Sequence, residues 1–268
     1  MRESVALYKM YHPVAEVEAA ETHGQCWHGE TIDEGIDLCR YQLIEPLFRE
    51  YLPKKGRILE AGCGPGRWVF YLRRLGYDVT GIDLAADAIA AAKKYDPTVP
   101  VVSADVLHTN FPDKHFDAVI SLGVVEHFEE GPQRAFEEAR RILKDGGFYF
   151  VTVPLQNLNR LLIANPLKEL KRWHQKRKGV GYAFEEYRYT RREFRNLLHE
   201  AGFEIMREAP DDYRPSKNMG LYVDYPFLRH SSKKWELNPA GKIVGSIFRS
   251  LTPWAACAGV MCISRKKV

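Results

Sequence analysis

The chain has 268 residues, of which 45% are hydrophobic, 12% aromatic and 28% charged. This composition is typical of a globular protein and excludes fibrous, low-complexity and wholly disordered chains. Its net charge of +4 is concentrated at 168–178, where six Lys or Arg accompany one Glu. A protein that wraps nucleic acid spreads positive charge over a broad face, so we expect any contact with a polyanion to be local.

Cysteine spacing and the N-terminal sequence bear on the compartment. The five cysteines are far apart and form no C-x-x-C pair, which favours a reducing environment over a disulfide framework or a zinc site. The first twenty residues contain three Glu and no apolar run, so they do not resemble a secretory signal. The longest apolar stretch, Trp254–Ile263, is shorter than the roughly 20 residues of a membrane span. We therefore expect a soluble, cytoplasmic protein.

Short apolar runs alternate with segments of helical periodicity from residue 57 to residue 154. This alternation builds parallel sheets from β-α-β units. The predicted strands are Arg57–Ala61, Asp78–Asp83, Val99–Ala104, Phe116–Ser121 and Gly147–Val153. The predicted helices between them are Gly66–Leu75, Ala85–Lys94 and Pro132–Leu143.

The remainder of the chain adds one helix and two strands to this pattern. Thr190 and Glu193 form a capping box that predicts a helix, and Phe203–Met206 and Ala258–Ser264 are predicted strands. Too little periodic apolar sequence lies elsewhere for a second core. We therefore expect a helical N-terminal lead at 1–56 and one α/β domain at 57–268, with insertions at about 155–188 and 210–255.

Residues 58–68, ILEAGCGPGRW, place three glycines directly after a strand and before a helix. Such a loop allows a ligand to approach the backbone closely and presents N–H groups at a helix start. The third glycine comes one residue too early for the dinucleotide fingerprint, and the Lys-Ser/Thr of a phosphate loop is absent. Pyrophosphate and triphosphate cofactors are therefore disfavoured.

Three acids at strand ends indicate a different ligand. Glu60 precedes the glycines, where its charge opposes a pyrophosphate and suits a cation. Asp83 ends the second strand, at the position where an acid accepts hydrogen bonds from a ribose diol. Asp105 follows the third strand, where it could accept from an adenine amino group. The pattern favours a cationic, adenosine-bearing cofactor without phosphates.

Together these motifs resemble those of class I S-adenosylmethionine-dependent methyltransferases, and especially the type-11 and ubiquinone-pathway O-methyltransferases. The resemblance extends through ILEAGCGPG, GIDLA, SADV, FDAVISLGVVEHF, LKDGGFYFVTVP and YTRREFRNLLHEAGFE. It implies a Rossmann-like, seven-stranded sheet with an antiparallel last strand and helices on both faces. It also implies that S-adenosylmethionine is the cofactor.

The resemblance further implies which residues contact that cofactor. The methionine part would be lined by Glu60, Gly62, Cys63 and Gly64, with the backbone of Leu122 and Gly123 beside its amine. The adenosine part would meet Asp83 at the ribose, Leu84 at the adenine face, and Asp105 and Val106 at the adenine edge. For Leu84, ordinary core packing is the alternative.

The pair Glu126-His127 follows the fourth predicted strand at the edge where α/β proteins bind ligands. His127 is our candidate general base toward an acceptor hydroxyl, because an imidazole removes protons effectively at neutral pH. The alternative is a histidine that only braces the loop. Some relatives extend the pair to a metal-binding E-x-x-E-H, but Gly123 stands at the first position, so no metal is expected.

We therefore predict an enzyme that methylates a small-molecule or lipid-linked acceptor, at oxygen rather than nitrogen. One alternative is an RNA (tRNA) methyltransferase, but the sequence shows no dispersed basic face that would support it. The other is a non-catalytic S-adenosylmethionine-binding protein. The sequence identifies neither the acceptor nor the oligomeric state.

Three segments are candidates for the acceptor side. The resemblance implies that Thr22–Arg40, with Trp27 and His28, and the insertion at 155–188 close over the pocket. An arginine cluster near the sixth strand could bind an anionic acceptor, although solvated helix surface is the default: Arg188, Arg191, Arg192 and Arg195.

The first insertion contains a basic amphipathic pattern. Asn165-Pro166 predicts an N-cap and helix start, and Leu167, Leu170 and Trp173 recur on one face among six Lys or Arg. Such a helix over 166–178 can lie at an anionic membrane surface. The alternative is a substrate lid in which these three apolar residues pack on the domain.

Overall fold

The structure is a computed structural model that describes residues 8–14 and 31–267. Its strands, numbered in chain order, are β1 Tyr8–Pro13, β2 Arg57–Ala61, β3 Asp78–Asp83, β4 Val101–Ser103, β5 Phe116–Leu122, β6 Leu143–Pro154, β7 Tyr182–Arg188, β8 Phe203–Asp211 and β9 Gly259–Lys266. Its α-helices are α1 Ile32–Cys39, α2 Glu45–Tyr51, α3 Arg67–Arg74, α4 Ala86–Tyr95, α5 Gln133–Ile142, α6 Asn165–Lys176, α7 Arg191–Glu200, α8 Gly220–Asp224 and α9 Pro239–Leu251.

Seven strands form one sheet in the order β4-β3-β2-β5-β6-β9-β8. The pairs from β4 to β6 are parallel, whereas β9 runs antiparallel to both β6 and β8. The predicted seven-stranded sheet with an antiparallel last strand is therefore confirmed. Since β2 is flanked by β3 on one side and β5 on the other, the chain reverses direction across the sheet there. The carboxyl ends of β2 and β5 mark the switch point at which such sheets bind ligands.

Each face of the sheet packs on its own hydrophobic core. Ile58 of β2 lies in a core with Phe48 and Trp68, whereas the adjacent Leu59 lies in a second core with Phe136. Successive strand residues point to opposite faces, so both must be apolar when both faces are covered. This explains why the strands have continuous apolar sequences.

A second, two-stranded sheet joins the N-terminal lead to the first insertion. β1 pairs antiparallel with β7, with Tyr8 opposite Arg188 and Pro13 opposite Tyr182. The lead is thus helical at α1 and α2 but extended at Tyr8–Pro13, where the sequence predicts no strand. Residues 15–30, including the candidate pocket residues Trp27 and His28, lie outside the described residues.

The helix of the first insertion begins earlier than predicted. A π-helix at Arg160–Ala164 continues directly into α6, so Asn165 has helical backbone torsions and the predicted N-cap there is wrong. The Asn165 side chain is instead used in tertiary contacts, donating to Gln156 Oε1 at 2.9 Å and accepting from Arg188 Nη1 at 3.3 Å. Throughout the described part of the chain, no helix has both the length and the apolarity required to cross a membrane.

Candidate active site

The glycine loop joins β2 to α3 in a conformation that few other residues adopt. Gly62, Gly64 and Gly66 have φ angles of +79°, +53° and +81°. A side chain at these torsions is disfavoured, so the loop geometry itself requires glycine. Gly62 and Cys63 both donate their N–H groups to the Ile82 carbonyl, at 2.8 and 2.9 Å, which fixes the loop beside β3.

Asp83 connects the glycine loop to the end of β3. Its Oδ2 accepts from the Gly64 N–H at 2.7 Å and its Oδ1 accepts from the Ala85 N–H at 2.8 Å. The carboxylate is therefore held in one orientation at the carboxyl edge of the sheet. The next side chain, Leu84, is 65% exposed, so it does not pack in the core.

The third acid occupies the neighbouring strand end. Asp105 follows β4, whose Ser103 lies opposite Asp83 in the parallel ladder. Asp105 Oδ1 accepts from the Leu107 N–H at 2.8 Å, which forms a tight turn after the strand. Val106 packs against the core that contains Leu59. The two acids therefore lie at adjacent strand ends, as the sequence predicts.

The loop after β5 completes this edge of the sheet. Gly123 has a φ angle of +69° and donates its N–H to Thr152 Oγ1 at 3.1 Å. Leu122 ends β5 beside it. Because β2 to β5 are parallel neighbours, all ten candidate cofactor residues lie at or directly after their carboxyl ends.

A cavity of about 250 Å³ opens beside Leu122 and Gly123, and we call it the inner cavity. Its walls come from the ends of β5, β6 and β8, the start of β9 and both insertions. Three buried acceptor atoms belong to residues that line it and have no hydrogen-bond partner among the described residues: Gln42 Oε1, Glu126 Oε2 and Asp211 Oδ1. Such atoms require donors, so the inner cavity is suited to a ligand that carries N–H or O–H groups.

Burial perturbs the carboxyls at and near the inner cavity. It raises the pKa of Glu126 to about 7. Burial, followed by the Asp212 carboxylate, raises the pKa of Asp211 to about 7. Burial also raises the pKa of Glu60, at the end of β2, to about 8. Carboxyls that titrate near neutral pH can exchange protons with a ligand, and such groups are concentrated at functional sites.

His127 contacts the backbone of β7. Its Nδ1 lies 2.8 Å from the Glu185 carbonyl oxygen of β7, and His127 is not among the residues that line the inner cavity. Burial opposes protonation of the ring, but the Glu126 carboxylate and the Glu185 carbonyl outweigh it and raise the His127 pKa. The geometry is therefore that of a side chain that holds the loop against β7.

The arginine cluster divides between the cavity and the surface. Arg188 is 3% exposed and lines the inner cavity. Arg191 bonds Glu208 at 2.6 Å, Arg195 lies 3.4 Å from the same carboxylate, and Arg192 is exposed. Of these four arginines, only Arg188 therefore lines the inner cavity.

Several residues that line the inner cavity were not predicted individually, and three of them illustrate why. Gln42 lies between α1 and α2, Asp211 ends β8 and Arg160 lies in the π-helix. Asp211 could have been recognised as an acid at a strand end. The other two belong to segments with no motif, so the sequence carries no signal for them.

Comparison with known proteins identifies the domain. Residues 59–151 match the family model described as a methyltransferase domain. The ubiquinone biosynthesis O-methyltransferase of Glaesserella parasuis is 27% identical over 51% of this chain and 62% of its own length. The tRNA (carboxymethyluridine(34)-5-O)-methyltransferase of Arabidopsis thaliana is 33% identical over 40% of this chain and 26% of its own. The chain thus spans less than two thirds of either relative.

The fold has solved counterparts. An S-adenosylmethionine-dependent methyltransferase from Methanosarcina mazei superposes with a TM-score of 0.59 at 19% identity, covering 83% of this chain and 98% of that one. The likeness confirms the Rossmann-like fold, and the family match confirms S-adenosylmethionine as the cofactor of the domain. Residues 59–151 therefore form a methyltransferase domain, and over this domain and in its fold the chain is similar to class I S-adenosylmethionine-dependent methyltransferases.

Proposed function

We propose that the chain transfers the methyl group of S-adenosylmethionine to an oxygen atom of a small-molecule or lipid-linked acceptor in the inner cavity. The observation that carries this proposal is the cavity beside Gly123, with the unpartnered oxygens of Glu126 and Asp211 belonging to its lining residues. A hydroxyl group of the acceptor can donate to such an oxygen. This arrangement would assist O-methylation, because the acceptor oxygen loses its proton in the reaction.

The residues at the strand ends fit the cofactor. Glu60 Oε2 is buried without a partner among the described residues, and an ammonium group would supply the missing donor. Asp83 accepts one backbone N–H on each oxygen and retains lone pairs for ribose hydroxyls. Leu84 is exposed and offers an apolar side chain to adenine. When bound, S-adenosylmethionine supplies an electrophilic methyl group on a sulfonium.

The chain itself positions the acceptor and takes up its proton. In-line displacement requires alignment of the reacting atoms, so the shape of the inner cavity contributes most of the catalysis. We assign proton removal to the Glu126 carboxyl, since this residue lines the cavity and its pKa of about 7 allows it to accept a proton at neutral pH. We assign His127 a positioning role, because its ring bonds the β7 backbone.

The experiment combines binding with turnover. Titration with S-adenosylhomocysteine should show saturable binding, and hydroxylated acceptors should support its release from S-adenosylmethionine where their O-methylated forms do not. Release that persists with the O-methylated forms would exclude oxygen as the methylated atom. Binding without release across the acceptor set would instead indicate a non-catalytic protein.

A further inference from the structure

The π-helix and α6 form one continuous amphipathic segment whose polar side faces the protein. Arg160 is buried and bonds Asp224 at 2.7 Å, and Lys168 bonds the same carboxylate at 3.1 Å. The next residue, Glu169, accepts from the Tyr8 hydroxyl at 3.0 Å. Helices on a protein surface normally bury their apolar side, so this segment is oriented the opposite way.

The apolar side of the same segment faces outward. Six leucine and tryptophan side chains between residues 158 and 173 are 52% to 69% exposed, and we call them the outer face: Leu158, Leu161, Leu162, Leu167, Leu170 and Trp173. The lid alternative for α6 required Leu167, Leu170 and Trp173 to pack on the domain, and their exposure contradicts it. An exposed apolar surface of this extent indicates an interaction site.

Charge distinguishes among the surfaces that the outer face could contact. The only acid between 156 and 181 is Glu169, whose carboxylate contacts Tyr8 and Arg172. The segment ends in three exposed cations, Lys176, Arg177 and Lys178. Arg177 lies over the Trp173 ring, 3.9 Å from its centroid. One leaflet of a bilayer offers acyl chains, an interface and charged headgroups. The leucines, the tryptophan and the cations of this segment suit these three layers, respectively.

α9 repeats this character on a second helix. Ile243, Ile247 and Leu251 recur every fourth residue and are 57% to 71% exposed. The helix carries Lys242 and Arg249 and no acid. Hydrophobic residues of α9 and of the π-helix pack in the same small cluster. Two basic helices with exposed apolar sides are thus anchored on one part of the fold.

We propose that the outer face docks on an anionic lipid bilayer. Its leucines enter the acyl region, Trp173 lies at the interface, and Lys176, Arg177 and Lys178 contact the headgroups. Each cation near an anionic surface adds to the attraction, so binding weakens as salt rises.

The docking surface also indicates the class of acceptor, a step that rests on the proposed function. A groove of about 610 Å³ runs between α6, the β1–β7 sheet and the segment around Phe227. Leu167 belongs both to the outer face and to the groove, while Glu186, Arg188 and Val223 line both the groove and the inner cavity. An amphiphile can therefore pass from the bilayer along the groove to the inner cavity.

The test is cosedimentation of the full chain with vesicles of phosphatidylcholine, with and without phosphatidylglycerol. We expect binding only to the anionic vesicles and release as salt is raised. The double variant Leu162→Asn with Leu170→Asn, and the triple variant with Lys176, Arg177 and Lys178 changed to Gln, should each reduce partitioning at least about tenfold.

Matched variants elsewhere serve as controls. Met206→Asn removes a similarly exposed apolar side chain from β8, and Lys93→Gln with Lys94→Gln removes exposed charges from α4. Both should bind vesicles like the wild type. Absence of binding to anionic vesicles at low salt, or equal binding by the outer-face variants, overturns the proposal. So does light scattering that shows a dimer which the Leu162 and Leu170 changes separate, because the face would then join two copies.

Titration of the same samples with S-adenosylhomocysteine separates this proposal from the proposed function. Outer-face variants should keep the wild-type affinity, since these side chains lie away from the strand ends. Failed vesicle binding with intact affinity and turnover overturns docking alone. Vesicle binding without cofactor binding supports docking and overturns the proposed function.

Discussion

Asp83 makes two backbone contacts that hold the glycine loop beside the end of β3. The Asp83→Ala variant should weaken S-adenosylhomocysteine binding by tenfold or more, because charge-assisted hydrogen bonds are worth about 1.5 to 3 kcal/mol. Isothermal titration measures the affinity. Asp78→Ala, at the exposed opposite end of the same strand, is the control and should leave the affinity unchanged. Unchanged binding by Asp83→Ala would remove this acid from the cofactor site.

Glu126 and His127 are adjacent but should respond differently to substitution. The turnover of the wild type should rise as pH increases through about 7, because Glu126 accepts a proton only when it is ionised. Glu126→Gln should lower turnover by about 10² and remove this rise, with little change in cofactor affinity. The measurement is a pH–rate profile with an acceptor found in the release assay.

The comparison variant for this pair is His127→Ala. It removes the contact with the Glu185 carbonyl and the charge that lowers the Glu126 pKa, so we expect lower thermal stability and a pH midpoint that is shifted upward but still present. Loss of the pH dependence in His127→Ala, with its retention in Glu126→Gln, would restore His127 as the base.

At the scale of single residues, the sequence does not predict the direction in which a side chain points. The glycine spacing and the strand-end acids placed Glu60, Asp83 and Asp105 at one edge, because strand ends follow from periodicity. The sequence also places Glu126 and His127 at this edge. It does not predict the orientations of their side chains, which depend on β7 packing beside the loop. Gln42 became part of the site only through the tertiary fold.

At the scale of elements, Asp224 anchors the reversed segment to the domain. It is buried against Arg160 at 2.7 Å, Lys168 at 3.1 Å and Arg188 at 3.6 Å. Burial opposes ionisation of Asp224, but the three cations outweigh it and lower its pKa. Asp224→Asn would leave the buried Arg160 guanidinium without its carboxylate, whereas Arg188 would keep its contact with Glu186 at 3.0 Å; we expect a cost of about 3 to 5 kcal/mol.

Urea unfolding tests this anchor. A lowered carboxyl pKa stabilises the folded state above the unfolded pKa, and this contribution is lost as pH falls through the folded pKa. The stability difference between wild type and Asp224→Asn should therefore be full near neutral pH and shrink below about pH 4. Lys168→Gln is the milder control, because this side chain is partly exposed. Equal stability of wild type and Asp224→Asn at pH 7 would show that the cluster does not anchor α6.

The elements that the sequence predicts have local sequence signals, whereas the elements that it does not predict depend on distant parts of the chain. The capping box at Thr190 and Glu193 specified α7 from four residues, and the structure shows both of its hydrogen bonds. β1 and β7 form by pairing with each other across more than 160 residues, so neither has a local signal. The N-cap predicted at Asn165 failed for the same reason. A π-helix precedes this residue, and its side chain contacts Gln156 and Arg188 instead of capping a helix.

At the scale of the whole molecule, the sheet supplies the cofactor edge and the insertions supply the acceptor side. Arg160 and Arg188 come from 155–188, and Met219 and Val223 come from 210–255; all four line the inner cavity. The insertions share no motif with the strand ends, and residues 59–151 alone match the family model. The sequence therefore predicts the cofactor but not the acceptor, because the acceptor pocket depends on long-range packing of the insertions.

The buried acids at the site make the stability of the molecule depend on pH. Burial raises the pKa of Glu60 to about 8 and those of Glu126 and Asp211 to about 7. A raised carboxyl pKa contributes stability that is full below the unfolded pKa and is lost as pH rises through the folded pKa. We expect the free energy of unfolding to fall by on the order of 2 kcal/mol or more from about pH 5 to about pH 8. Urea unfolding across this range measures it, and Glu126→Gln with Asp211→Asn should flatten the decline, whereas exposed Glu50→Gln should not. A wild type whose stability is constant or rises over this range would show that these carboxyls are not held in an environment that favours their neutral forms.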